Sequence, residues 1–276
     1  MTVNQTGYPA HRAGYPRLVA AIVAAASMVV GLAGCGSADH PVPDPPADPT
    51  VLVLRVEEVA GFGGPGDAGR LPEFSLYGGG RVIIPGAQDG ALRTAKQYQL
   101  SGPAYQRLYR RAFATGLDQA RHIEQTGVPD AGSLTISVRV GDHLQTTVVS
   151  PPNGDDPTRA AIATFRRAVQ PSAWASGGGV SGPVDYQPAR MAVIATWSTS
   201  AAQAGQNPTW PLGPLITGTH VGGGDCSLYG ADRLTQIRSV TTSAAPGTRW
   251  IQGDGAYYVA VRPLLPDESD CGQLTH

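Results

Sequence analysis

The chain has 276 residues, 20 of them Lys or Arg and 21 Asp or Glu, for a formal net charge of −1. Near-neutrality over that length removes the electrostatic footprint that nucleic-acid binding needs, so no nucleic-acid partner is expected. With 36 Gly, 24 Pro and only 15% charged residues, surface solvation falls largely to Ser, Thr, Gln and Gly. Lys96 is the single lysine. The arginines are scattered, a pattern that reads as codon bias rather than phosphate binding.

The first residues read as an address. Arg12 and Arg17 precede an apolar run from Leu18 that ends at Leu32-Ala33-Gly34-Cys35. The run is short for a membrane span, which needs ~20 apolar residues, and no basic stop-transfer cluster follows it. Residues 1–34 are therefore expected to be a cleaved signal peptide. Leu32, Ala33 and Gly34 ahead of Cys35 resemble a bacterial lipobox, which makes Cys35 the expected lipid attachment residue. A thiol is the side chain that forms the thioether to diacylglycerol, and acyl chains at ~0.8 kcal/mol per buried CH₂ (palmitate, for example) hold a protein at a membrane. That covalent lipid is the only prosthetic group expected; no cofactor or metal is anticipated. Residues 35–50 carry Pro41, Pro43, Pro45, Pro46 and Pro49. They are expected to be a tether of polyproline II character that spaces the fold from the membrane.

Residues 51–171 read as an α+β domain. Val51 to Val56 is a buried-strand pattern. The glycine run from Gly61 to Gly66 follows a strand, yet it lacks a Gly-Lys-Ser/Thr and a following helix pattern, so it is not a phosphate loop. From Glu73 to Ile84 the alternation of Phe74 and Leu76 with Val82 and Ile84 predicts a hairpin. It sets Leu76 opposite Val82 across a Gly78-Gly79-Gly80 tip, and Tyr77 opposite Arg81 in a cation–π pair. A helix is predicted from Pro103 to Thr115, capped by Ser101 or Gly102 and stopped at Gly116. Tyr105, Leu108, Tyr109, Ala112 and Phe113 form its core stripe, and Arg107, Arg110 and Arg111 a solvated face. Ser133 to Val149 is a second hairpin, with a three-residue tip of Gly141-Asp142-His143 chosen to match Val140 with Leu144. Asp156-Pro157 opens a second helix with Ile162, Phe165 and Val169 inward and Arg166 and Arg167 in its last turn. This order predicts an antiparallel sheet with helices on one face.

Residues 172–183, with Gly177-Gly178-Gly179, read as a Gly/Ser-rich linker, and residues 184–276 as a small α+β part. In it, Met191 to Trp197 is a strand, Ala231 to Ser243 a short helix, and Arg249 to Arg262 a hairpin with Ile251 opposite Tyr257. The chain has three cysteines. With Cys35 lipidated, Cys226 and Cys271 remain as a pair in an oxidising compartment, where a disulfide is the default.

Two segments, Leu71-Pro72-Glu73-Phe74-Ser75-Leu76-Tyr77-Gly78-Gly79-Gly80-Arg81-Val82-Ile83 and Arg262-Pro263-Leu264-Leu265-Pro266-Asp267-Glu268 ahead of Cys271, resemble stretches of actinobacterial lipoproteins (Streptomyces/Mycobacterium type) of unknown function. Members often carry Asp or a similar residue in the tip where this chain has Gly79. The resemblance implies a location on the outer face of the cell membrane. It carries no activity and no catalytic residue.

No Gly-x-Ser-x-Gly, His-Glu-x-x-His or paired Cys/His spacing appears. His122 with Glu124 and Asp142 with His143 are fragments of catalytic patterns placed in an exposed loop and a solvated tip, and a Cys226 nucleophile beside His220 is set aside because the disulfide to Cys271 is the expected state. The expected function is a non-enzymatic binding or scaffolding module of the cell envelope. It would be held to the cytoplasmic membrane by lipid and would engage an envelope protein or cell-wall component. An exported hydrolase with a site assembled from distant residues, or an enzyme inhibitor, are the alternatives.

Overall fold

The computed structural model describes residues 41–274 except 60, 62–68, 126, 129, 155, 175–177, 200–206 and 246. The expected signal peptide, Leu32 to Cys35 and most of the Gly61 to Gly66 run lie outside the described residues. Residues from Pro41 onward form one compact unit.

The first hairpin follows the register that its alternation requires. In β2 (Phe74–Tyr77) and β3 (Arg81–Asp89), Leu76 sits opposite Val82 and Tyr77 opposite Arg81. The turn between them is Gly78–Gly80, with φ of 68° at Gly79 and 85° at Gly80, a region that favours glycine. The predicted Tyr77–Arg81 ring contact does not form. Tyr77 is fully buried, and the Arg81 guanidinium instead lies 5.5 Å from the Tyr186 ring centroid.

β1 (Leu52–Val59) pairs with β2 on one side and with β6 (Ser133–Val140) on the other. β7 (His143–Ser150) follows β6, and β5 (Arg121–Glu124) lies parallel to β7 at the edge. β4 (Leu92–Leu100), whose polar sequence gave no strand signal, pairs with β3. Farther along come β8 (Val180–Asp185), β9 (Arg190–Trp197), β10 (Thr219–Val221), β11 (Gly224–Gly230), β12 (Arg249–Gln252) and β13 (Gly255–Pro263). These thirteen strands make one sheet in the order β10-β11-β9-β13-β4-β3-β2-β1-β6-β7-β5, with β12 on β13 and β8 on β4. Among the thirteen described strands, only the β13–β4 and β5–β7 pairings are parallel. With three α-helices among the described residues, the fold is α+β and mostly antiparallel.

The sheet crosses the expected boundary at 172–183. β8 occupies part of that stretch and pairs with β4 from Leu100 to Lys96, while the other end of β4 meets β13 at Leu92 and Val261. A glycine-rich sequence at a strand start looks like a linker until its partner strand is known. That partner lies about eighty residues earlier in the chain.

α1 (Gly102–Ala114) and α2 (Pro157–Ala168) are positioned by their caps. Ser101 Oγ accepts from Ala104 N, and Asp156 Oδ1 accepts from Thr158 N and Arg159 N at 3.0 Å each. Their inward residues Tyr105, Tyr109, Ala112, Ile162 and Phe165, with Val169 just past α2, join Leu54, Val56, Phe74, Leu76, Ile136 and Val138 in one core cluster. Tyr77, Ile83, Ala95, Tyr186 and Leu265 form a second cluster. α3 (Leu234–Thr242) packs Ile237 into a third with Trp210, Trp250 and Val261. The fourth surrounds the disulfide.

Two hairpin registers differ from expectation. Val140 faces His143 across Gly141-Asp142, and Ile251 faces Ala256 across Gly253-Asp254. Both are two-residue turns with glycine first, at φ 58° and 56°, the position where a II′ hairpin turn needs it. The three-residue tips assumed that Leu144, Thr146 and Val148 face the core. Thr147 and Val149 are the buried residues of β7 instead, and Leu144 is exposed.

The expected tether is docked over its second half. Pro46 O accepts from both Gly79 N and Tyr105 Oη, at 3.1 and 2.7 Å. Val42 packs against the first core cluster. Asp48 closes the segment by accepting from Thr50 N and Oγ1. Proline-rich chain leaves its carbonyls free, and here one of them is used twice.

Candidate functional site

Several buried polar groups hold the fold and are closed to other chemistry. Arg262 and Glu268, both essentially buried, pair through Nη2 to Oε1 and Oε2 at 2.8 and 2.6 Å. Leu265 N also donates to Glu268 at 2.7 Å. Asp267 accepts from Arg55 Nη2 and Tyr77 Oη at 2.8 and 2.7 Å. Burial, reinforced by the Asp267 charge, pushes the Tyr77 hydroxyl far above its ordinary range and keeps it a donor. Tyr186, also buried, is pushed up to about 12 and donates to Leu264 O. Arg159 ties the start of α2 to the Ile123 and Ser150 carbonyls. Arg166 joins Glu58 and Glu73 across the start of the sheet.

The catalytic fragments seen in the sequence stay apart. His122 and Glu124 are exposed on β5, and His143 is exposed at the start of β7. His220 Nδ1 lies 3.9 Å from Asp225 Oδ1 across β10 and β11, with its side chain three-quarters exposed. A base held so loosely in water lacks the positioning that proton transfer needs. Cys226 is bonded to Cys271 with Cα atoms 5.9 Å apart, so it is no free nucleophile. Cys35 and the three residues before it are outside the described residues. Among the described residues, no three His, Cys, Asp or Glu converge in a group suited to a metal, and no helix is long and apolar enough to cross a membrane.

A different place carries unfinished polar chemistry. A cleft of about 620 Å³ opens between the Asn207–Pro211 segment and the stretch from Val240 to Trp250. Its floor is built by backbone bonds that run the segment beside β12: Trp210 N donates to Ile251 O, and Ile251 N to Pro208 O. Trp210 and Trp250 meet edge to face at 5.1 Å. Asn207 Nδ2, Trp210 Nε1 and Trp250 Nε1 are buried donors without an acceptor. Each such group costs about 1–3 kcal/mol. Arg249 adds a half-buried cation to the wall. Of these residues Asn207 and Trp250 line the cleft together with Arg249, and its described lining has no carboxylate. Sequence reading missed it because its walls come from segments about forty residues apart. The Trp210-Pro211 and Arg249-Trp250 pairs are the only signal that the sequence held.

No family model, no curated protein and no solved structure matches this chain.

Proposed function

We propose that the protein is a lipid-anchored, extracytoplasmic binding or scaffolding module rather than an enzyme, and that its ligand enters the cleft between Asn207–Pro211 and Val240–Trp250. The observation that carries the binding half is a concave surface whose lining brings together Arg249 and two residues with unpartnered buried donors, Asn207 and Trp250, while the histidines stand isolated. Such a surface suits an acceptor-rich ligand and stacks against its flat or apolar parts. The Leu32-Ala33-Gly34-Cys35 motif and the Cys226–Cys271 disulfide support the anchoring half, since disulfides persist in oxidising compartments.

Two experiments test the two halves. Cell fractionation of wild type and Cys35→Ala is expected to show the variant leaving the membrane fraction or remaining unprocessed; identical behaviour refutes the anchor. For the cleft, a photo-crosslinking residue is placed at Ser243 and, as a control, at exposed Thr164 on α2. In intact cells, one discrete adduct from Ser243 and none from Thr164 is expected. Equal labelling from both positions refutes the assignment.

A further inference from the structure

α1 carries a second surface. On a helix of 100° per residue, Arg107, Arg110 and Arg111 fall within about 100° of one another, opposite Tyr105, Tyr109 and Ala112. All three arginines are exposed. No acidic residue occurs from Gly102 to Leu117, and none of the three has an ion pair among the described residues. Arg55, Arg159, Arg166 and Arg262 contrast with them, each held by a carboxylate.

The position of this face matters as much as its charge. The chain enters the fold beside α1, where Pro46 O accepts from Tyr105 Oη at 2.7 Å. The docked segment begins by Val42. Only five residues, Gly36 to His40, lie between Cys35 and Pro41. Fully extended, the steps from Cys35 to Pro41 span about 20 Å, and α1 itself is about 20 Å long. Had residues 41–50 been free, a longer leash would have left the orientation open. With residues 41–50 docked, at most about 20 Å of chain separates Pro41 from Cys35, the residue that the anchoring reading attaches to lipid.

We infer that the Arg107/Arg110/Arg111 face of α1 lies against the anionic lipid surface and orients the protein on it. The inference rests on the anchoring reading for its geometry, although the charge attraction is independent of the lipid chain. Each basic residue near an anionic surface raises partitioning about fivefold, and three raise it about a hundredfold, within a Debye length of ~10 Å at 0.1 M salt.

The test uses unlipidated protein, residues 36–276, which keeps the whole compact unit, its core clusters and its disulfide. Co-sedimentation is measured with vesicles of phosphatidylcholine alone and with vesicles containing about a third phosphatidylglycerol. Binding is expected only to the anionic vesicles, falling steeply between 0.1 and 0.5 M salt. The triple variant R107Q/R110Q/R111Q should lose binding by up to about a hundredfold with an unchanged thermal transition, since all three side chains are exposed. R167Q/R238Q, which removes charge from α2 and α3, should bind as wild type. Absent binding to anionic vesicles, equal binding to both vesicle types, or equal loss in the two variants overturns the inference. Because no lipid is attached, failure here leaves the Cys35→Ala fractionation result standing separately.

Discussion

Replacing Glu268 with Gln is the sharpest test of how the C-terminal segment is held. The pair Arg262–Glu268 has side chains 0% and 1% exposed, so no water can take over for a lost partner. Glu268 accepts three bonds: two from Arg262 Nη2 and one from Leu265 N. An amide has one acceptor oxygen, and its NH₂ would face a donor. The arginine charge would also stay buried with only neutral acceptors beside it, the amide oxygen and the carbonyls of Pro263 and Arg70. Breaking one side of a buried pair costs ~3–5 kcal/mol, a large share of the ~5–15 kcal/mol that a domain has. With a urea m-value near ~2 kcal/mol/M, the midpoint should fall by ~2 M. The assay is urea unfolding followed by tryptophan fluorescence. The double variant Arg262→Met/Glu268→Leu removes both charges and should recover at least ~2 kcal/mol relative to Glu268→Gln, because apolar replacement of a buried pair is often neutral. A midpoint shift below ~0.5 M for Glu268→Gln, or a double variant less stable than the single, refutes the reasoning.

Other expectations are simpler. Opening the Cys226–Cys271 loop, with a separation of 45 residues, should cost ~4 kcal/mol in the loop-entropy account. Non-reducing peptide mapping should recover the linked pair, and free thiols at both positions would count against it. Tyr105→Phe removes the hydroxyl that reaches Pro46 O, a loss of ~1 kcal/mol. Limited proteolysis should then cut more readily within residues 41–50; an unchanged cutting rate would mean that Gly79 and Val42 suffice. The Asp156 carboxyl is held below its ordinary range by the Arg159 and Thr158 amides at the start of α2 and by the Arg159 side chain. Its stabilisation is therefore present above the ordinary carboxylate pKa of ~4 and is lost as pH falls through the lowered folded value. Melting curves of wild type and Asp156→Ala should differ at neutral pH and converge towards pH ~2. A gap that persists in acid would show that the cap is not acting through its charge.

What could be read from the residues was local. The caps at Ser101 and Asp156, the stripe Ile162/Phe165/Val169 and the Leu76–Val82 register each depend on neighbours a few positions away, and each is seen. The disulfide came from parity alone. The registers at Gly141-Asp142 and Gly253-Asp254 were misjudged because apolar alternation was given more weight than turn chemistry; Gly-Asp with glycine first was the better signal. β4 and β8 were missed for another reason. A polar strand such as Leu92–Leu100 has no periodicity to declare it, and its formation depends on partners distant in the chain. The docking of Pro46 and the clustering of Asn207, Trp210 and Trp250 are likewise tertiary events, invisible until the segments are brought together.

The open sheet has consequences for crowding. Its path ends in β10, three residues long, and in β5, four residues long with Arg121, His122 and Glu124. β8 carries Pro183 in its outer row, and β12 is flanked by the Pro208–Trp210 segment. Unpaired strand edges recruit other chains, and shortness, charge, proline and covering segments are the devices that blunt them. Proteins gathered on a two-dimensional surface meet their own copies far more often than in free solution. On the anchored reading proposed above, edges built this way would let a dense layer of such molecules stay separate rather than knit into continuous sheet.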